Sequence, residues 1–198
     1  MQIGYNGHIG TKKYRLSPPS PRNAVCPPEP PSSRAEVRAI LVFPSPTWYI
    51  AHMKIYLDVC CLQRPLDTIS HTRIALEAEA VLGILAQSES GRVELIASEA
   101  LEFELGRNPN VVRQEFAERA LSGARQFVPV TERVEKRAKE LKAMGLRALD
   151  ALHLASAEEA GADYFCTCDD PLLRKAKTIP GLRTKPVSPV ELIGVIEK

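Results

Sequence analysis

From Met53 onward, short apolar runs rich in β-forming residues alternate with stretches of helical periodicity, and few folds accept that alternation. Residues 54–59 (KIYLDV), 93–97, 127–130, 164–167 and 183–185 read as five strands. Between the first two, residues 72–87 carry Ile74, Leu76, Ala78, Val81, Leu82 and Leu85 at helical spacing. Further helices are expected over 99–107, 110–121, 131–144, 149–160, 171–176 and 189–197. Ser98 and Thr131 are good N-caps, and Gly91, Gly145 and Gly161 stand where helices should stop. Residues 60–70, with Pro65 and Asp67, read as a loop. Repeated βα units imply a mostly parallel sheet with helices on both faces. In such sheets ligands sit beyond the carboxyl ends of the strands.

The first 52 residues differ from the rest. Nine of the 16 prolines fall between Pro18 and Pro46, three times as adjacent pairs. Proline removes a backbone donor and turns the preceding residue away from helix. This stretch is expected to be a disordered Pro-rich tail or a misassigned upstream extension, with Met53 as the natural start and 53–198 as the folded domain. It holds six basic residues against two acidic ones, whereas 53–198 holds 20 against 22. The expected domain is therefore slightly acidic, and a polyanionic partner would need a local basic patch or bridging cations.

No stretch approaches the roughly 18 apolar residues of a membrane span, and no apolar leader opens the chain. Five cysteines, an odd number, then suggest free thiols and a cytoplasmic protein.

The chemistry is carried by carboxylates. Asp58 closes the first strand, Glu104 lies about two helical turns beyond the second, Asp150 opens a late helix, and Asp169 and Asp170 follow the fourth strand. Gathered together, such groups repel, and burial opposes their ionisation further. Mg²⁺ or Mn²⁺ would neutralise them, and ions so held assist phosphodiester hydrolysis. No Ser-His-Asp set and no glycine-rich phosphate loop competes with this reading.

Three motifs then stand in order: KIYLDVCCLQRPLD (54–67), IASEALEFELGRNP (96–109) and LRALDALHLASAEEAGADYFCTCDDPLLRKA (146–176). Together they resemble the PIN-domain family, and are similar to the VapC-type toxin ribonucleases of bacterial toxin–antitoxin pairs. The resemblance implies a three-layer α/β/α fold with a five-stranded parallel sheet and a Mg²⁺- or Mn²⁺-dependent endoribonuclease. By position it implies Asp58, Glu104, Asp150 and Asp169 as catalytic and metal-binding residues, with Thr167 and Asp170 in support. Glu104 is preferred over Glu99 and Glu102 because it stands six residues after Ser98, as in the family. Where the family usually has Thr, Ser or Asn just after the first aspartate, this chain has Val59 and Cys60. RNA is the implied substrate, an antitoxin protein a candidate partner and a homodimer the expected assembly. A catalytically silent PIN-like module that binds RNA or protein is the rival reading.

Near the expected site edge, Arg64, Arg107, Arg174 and Lys175 are candidates for contact with the RNA backbone. His153, one turn after Asp150, is read as a packed helix residue, and Glu158 and Glu159 as solvated. The basic face of the 131–144 helix is read as a solvated surface. With the first and fourth strands adjacent, as in the family, Cys60, Cys61, Cys166 and Cys168 would lie close together as buried thiols.

Overall fold

The structure, a computed structural model, describes residues 53–198. The proline-rich segment 1–52, and the tail or extension expected there, lie outside the described residues. Five strands form one parallel sheet: β1 (Met53–Leu57), β2 (Val93–Ser98), β3 (Gln126–Val128), β4 (Tyr164–Cys166) and β5 (Lys185–Val187), in the spatial order β3-β2-β1-β4-β5. Around them run α1 (Val59–Gln63), α2 (Thr72–Glu89), α3 (Glu99–Leu105), α4 (Val111–Leu121), α5 (Glu132–Ala143), α6 (Ala148–Glu159), α7 (Asp170–Ala176) and α8 (Pro189–Ile196).

The central strand shows why the fold has three layers. Ile55, Tyr56 and Leu57 are consecutive, so their side chains point to alternate faces, yet all are at most 1% exposed. Both faces of the sheet are therefore covered, as parallel sheets require. Leu95 and Ile96 repeat the pattern on β2. Among the covering helices, α5 packs on α6 and α2 on α8. No described helix is long and apolar enough to cross a membrane.

The chain leaves β1 for β2 on one side and returns to β4 on the other, so the strand order reverses at the carboxyl end of β1. Leu57 is in register with Cys166, which brings the next residues, Asp58 and Thr167, side by side. Gly161 follows α6 with φ +67°, a left-handed conformation that glycine adopts without strain and that turns the chain into β4.

Some expectations from sequence are corrected. Within the loop read over 60–70, the part up to Leu66 is instead helix α1 and a 3₁₀ turn (Arg64–Leu66), while 67–70 are irregular as read. Asp58 caps α1 through a bond from the Val59 N–H (2.8 Å), so an apparent strand end is a helix start. The third strand stops at Val128 because Pro129 follows it. The fifth begins at Lys185, two residues later than read, and contains Pro186, which an edge strand tolerates.

Glu158 is buried, not solvated. Its carboxylate accepts from Arg137 Nε (2.6 Å) and Nη2 (3.3 Å), and from the Arg183 N–H (2.7 Å). Glu159 is partly covered and pairs with Arg133 (3.0 Å). The basic face of α5 is thus not simply solvated: Arg133 and Arg137 tie it to α6.

Candidate functional site

The site grows from the strand-order reversal. Asp58 emerges from β1 with its backbone N–H bonded to the Cys166 carbonyl (3.0 Å), and is 7% exposed. Its Oδ1 accepts from the Val59 N–H, and its Oδ2 accepts from the Thr167 hydroxyl (2.8 Å) and the Cys60 thiol (3.1 Å). Burial above all, then the neighbouring Cys60, pushes the Asp58 carboxyl well above its ordinary range, although His153 and Thr167 oppose the shift.

The T-x-D motif has a local cause. The Thr167 oxygen accepts from the Asp169 N–H (3.1 Å) while its hydroxyl donates to Asp58. Asp169 then caps α7 by accepting from the Leu172 N–H (2.9 Å). One threonine therefore links the first and last acidic segments. Asp150 lies half-buried in the first turn of α6, and its carboxyl is raised by burial, then by the charges of Asp169 and, more weakly, Glu104. Asp169 and Glu104 are thus the carboxylates whose charge reaches Asp150.

Glu104 arrives from α3, which Ser98 caps by accepting from the Leu101 N–H. Its Oε2 lies 2.7 Å from His153 Nε2. The other two glutamates of α3 serve elsewhere: Glu99 accepts from the Val130 N–H (2.7 Å), and Glu102 is exposed. Asp170 is also outside the cluster. As the first residue of α7 it forms a two-pronged ion pair with Arg73 of α2, which lowers its pKa.

Sequence reasoning missed the second role of His153. It is packed, at 2% exposure, but both ring nitrogens are engaged: Nε2 with Glu104, and Nδ1 with the Tyr56 hydroxyl (2.8 Å). Tyr56 continues to Ser98 Oγ (2.7 Å). Burial pulls the imidazole down, but the bond to Glu104 and the surrounding carboxylates outweigh it, and its pKa is raised overall. The available signal was Asp150-x-x-His153, a spacing that puts both on one helix face. Tyr56 and Ser98 read as strand and cap residues and gave no separate signal.

Ligand atoms of Asp58, Glu104 and His153 lie within 4.8 Å of one another. This donor set fits a hard divalent ion. Asp58 accepts three bonds where a carboxylate offers about four lone-pair sites, and Glu104 meets His153 through one oxygen only. An ion of charge +2 would also favour ionised Asp58 and Asp150, which burial disfavours.

Beside Glu104 opens a cleft of about 740 Å³, lined in part by Phe103, Arg107, Asn108 and Leu152. Arg107 lies over the Phe103 ring, 5.4 Å from its centre. Arg174 and Lys175 are exposed in the last turn of α7. Arg64 is engaged by Asp67 (2.8 Å) and Glu77 (3.1 Å), so of the four candidate RNA contacts it is the one held in the fold.

A sheet that positions acidic side chains at its strand-order reversal defines the class: an α/β protein with a residue cluster that could hold a metal ion. A family model described as the PIN domain matches residues 55–178, and the chain belongs to that family, whose members are generally metal-dependent nucleases. No curated protein matches the sequence significantly.

Proposed function

We propose that the protein is a metal-dependent endoribonuclease that uses Mg²⁺ or Mn²⁺, and that it acts as the toxin of a type II toxin–antitoxin pair. The observation that carries the nuclease reading is the meeting of Asp58, Glu104 and His153, from three distant segments, within 4.8 Å. Asp58, Glu104, Asp150 and Asp169 would hold the ion. When bound, such an ion polarises a phosphodiester and lowers the pKa of water.

The chain's own residues prepare that chemistry. Thr167 and Cys60 orient the Asp58 carboxylate by donating to the same oxygen. His153, fixed by Tyr56, holds one oxygen of Glu104. Arg107, Arg174 and Lys175 would meet the RNA backbone, which predicts salt-sensitive binding. The toxin assignment rests on the motif resemblance alone.

The test is cleavage of RNA by purified protein with Mg²⁺. Asp58→Asn, Glu104→Gln, Asp150→Asn and Asp169→Asn should each lower it by more than about a hundredfold, beyond the usual effect of losing an outer-shell partner. Their circular dichroism should stay that of the parent. Parental cleavage by Asp58→Asn would remove the proposal. For the toxin role, expression in a bacterial host should arrest growth with the parent and not with Asp58→Asn.

A further inference from the structure

Four cysteines gather where β1 and β4 run side by side, three of them buried and Cys60 half-buried. The Cys61 sulfur lies 3.5 Å from that of Cys168 and 3.8 Å from that of Cys166. The sulfurs of Cys60, Cys61 and Cys168 all lie within 4.8 Å of one another. Tetrahedral zinc–thiolate bonds of about 2.3 Å set sulfur–sulfur edges of about 3.8 Å. The three sulfurs thus already stand near the separations that a thiolate-bound ion imposes. A disulfide would need two of them to close to about 2.0 Å.

The surroundings suit bound thiolates. The Cys168 N–H points at the Cys60 sulfur (3.2 Å), a donor that supports negative charge there. Arg64 and Cys168 line the same open cleft of about 360 Å³. Three thiolates around a divalent ion leave one negative charge, beside which stands the Arg64 guanidinium, itself paired with Asp67 and Glu77. Half-buried Cys60 and the cleft at Cys168 give an ion its way in.

We propose that Cys60, Cys61 and Cys168 form a binding site for a soft d¹⁰ cation, Zn²⁺ or Cd²⁺, distinct in its donor atoms from the adjoining carboxylate centre, and that on binding the Cys60 thiol gives up its bond to Asp58. Binding forms three metal–sulfur bonds, and each thiol still protonated releases its proton to water. Hardness sorts ions between the two centres: thiolates take soft cations, while Mg²⁺ keeps to oxygen. The spacing C-C and C-x-C is not a standard zinc pattern, so only the pairing of β1 with β4 assembles the site. This site does not depend on the nuclease reading.

The experiment titrates Cd²⁺ into the reduced full chain carrying Cys26→Ser, with Mg²⁺ in excess. It follows the thiolate-to-cadmium charge-transfer absorption. One equivalent should saturate the band despite Mg²⁺. Cys60→Ser and Cys168→Ser should each weaken binding by about tenfold or more. Glu104→Gln, which touches none of the three thiols, should retain the band. A parent protein without the band overturns the proposal, whatever the variants do. So does a band unchanged in Cys168→Ser, or one lost in Glu104→Gln, which would put the ion at the carboxylates.

Discussion

Thr167→Val is the perturbation that reports most directly on the acidic site. Valine preserves the shape of a side chain that is fully buried, but removes its hydroxyl. That hydroxyl donates to Asp58 Oδ2 at 2.8 Å and accepts from the Asp169 N–H at 3.1 Å. A hydrogen bond to a charged group contributes about 1.5–3 kcal/mol, and leaving a partly buried N–H unpaired adds about 1 kcal/mol. The expected loss is about 2–4 kcal/mol, or a fall in Tm of about 6–12 °C for a domain of this size. The lost donor favoured the ionised carboxyl, so the Asp58 pKa should rise further. The gap between variant and parent should therefore widen as pH rises through that pKa. Mg²⁺ affinity should fall by about 10–100-fold. Urea denaturation across pH, with calorimetric Mg²⁺ titration, measures all three effects, and Thr167→Ser should restore most of each. A valine variant within about 0.5 kcal/mol of the parent at neutral pH, or a serine variant equally impaired, would refute the argument.

Arg137→Met should destabilise the domain by up to about 3–5 kcal/mol, because it leaves the buried Glu158 carboxylate with Arg183, 3.7 Å away, as its remaining ionic partner. Urea denaturation of this variant, and of its double with Glu158→Gln, should show the double recovering part of the loss. A second expectation concerns the protein in EDTA. Asp58 and Asp150 have folded-state pKa values above their unfolded ones, so their contribution is fully present below about pH 4 and is lost as pH rises through the folded values. His153, also raised, has the same sign. Thermal melts in EDTA should therefore show these groups weakening the fold as pH rises, and Mg²⁺ should restore more Tm at pH 8 than at pH 5. Equal restoration at both would contradict the site electrostatics.

The sheet was legible because a parallel sheet buries its strands on both faces, and such strands appear as unbroken runs like Ile55-Tyr56-Leu57. Helix boundaries were legible where chemistry marks them, as at Ser98, Thr131 and Gly161. Helix α1 was not, since five residues show no periodicity and its cap, Asp58, looks like the end of a strand. The solvated reading of Glu158 failed because the partner that compensates its burial, Arg137, lies 21 residues away on another helix.

Motif order alone marked Asp58, Glu104, Asp150 and Asp169 as a set, because each follows a recognisable strand or helix boundary. Spacing from Ser98 had favoured Glu104 over Glu99 and Glu102, but tertiary structure alone set Glu104 against His153 and Glu99 against the Val130 N–H, and turned Asp170 toward Arg73. The thiols of α1 do meet the segment after β4, as the family's strand order implied, but their separations came only from the structure. Caps, stops and apolar runs act over a few residues and leave their mark in local sequence. Which carboxylate or sulfur meets which depends on strand pairing between residues about a hundred positions apart, and no local pattern records that.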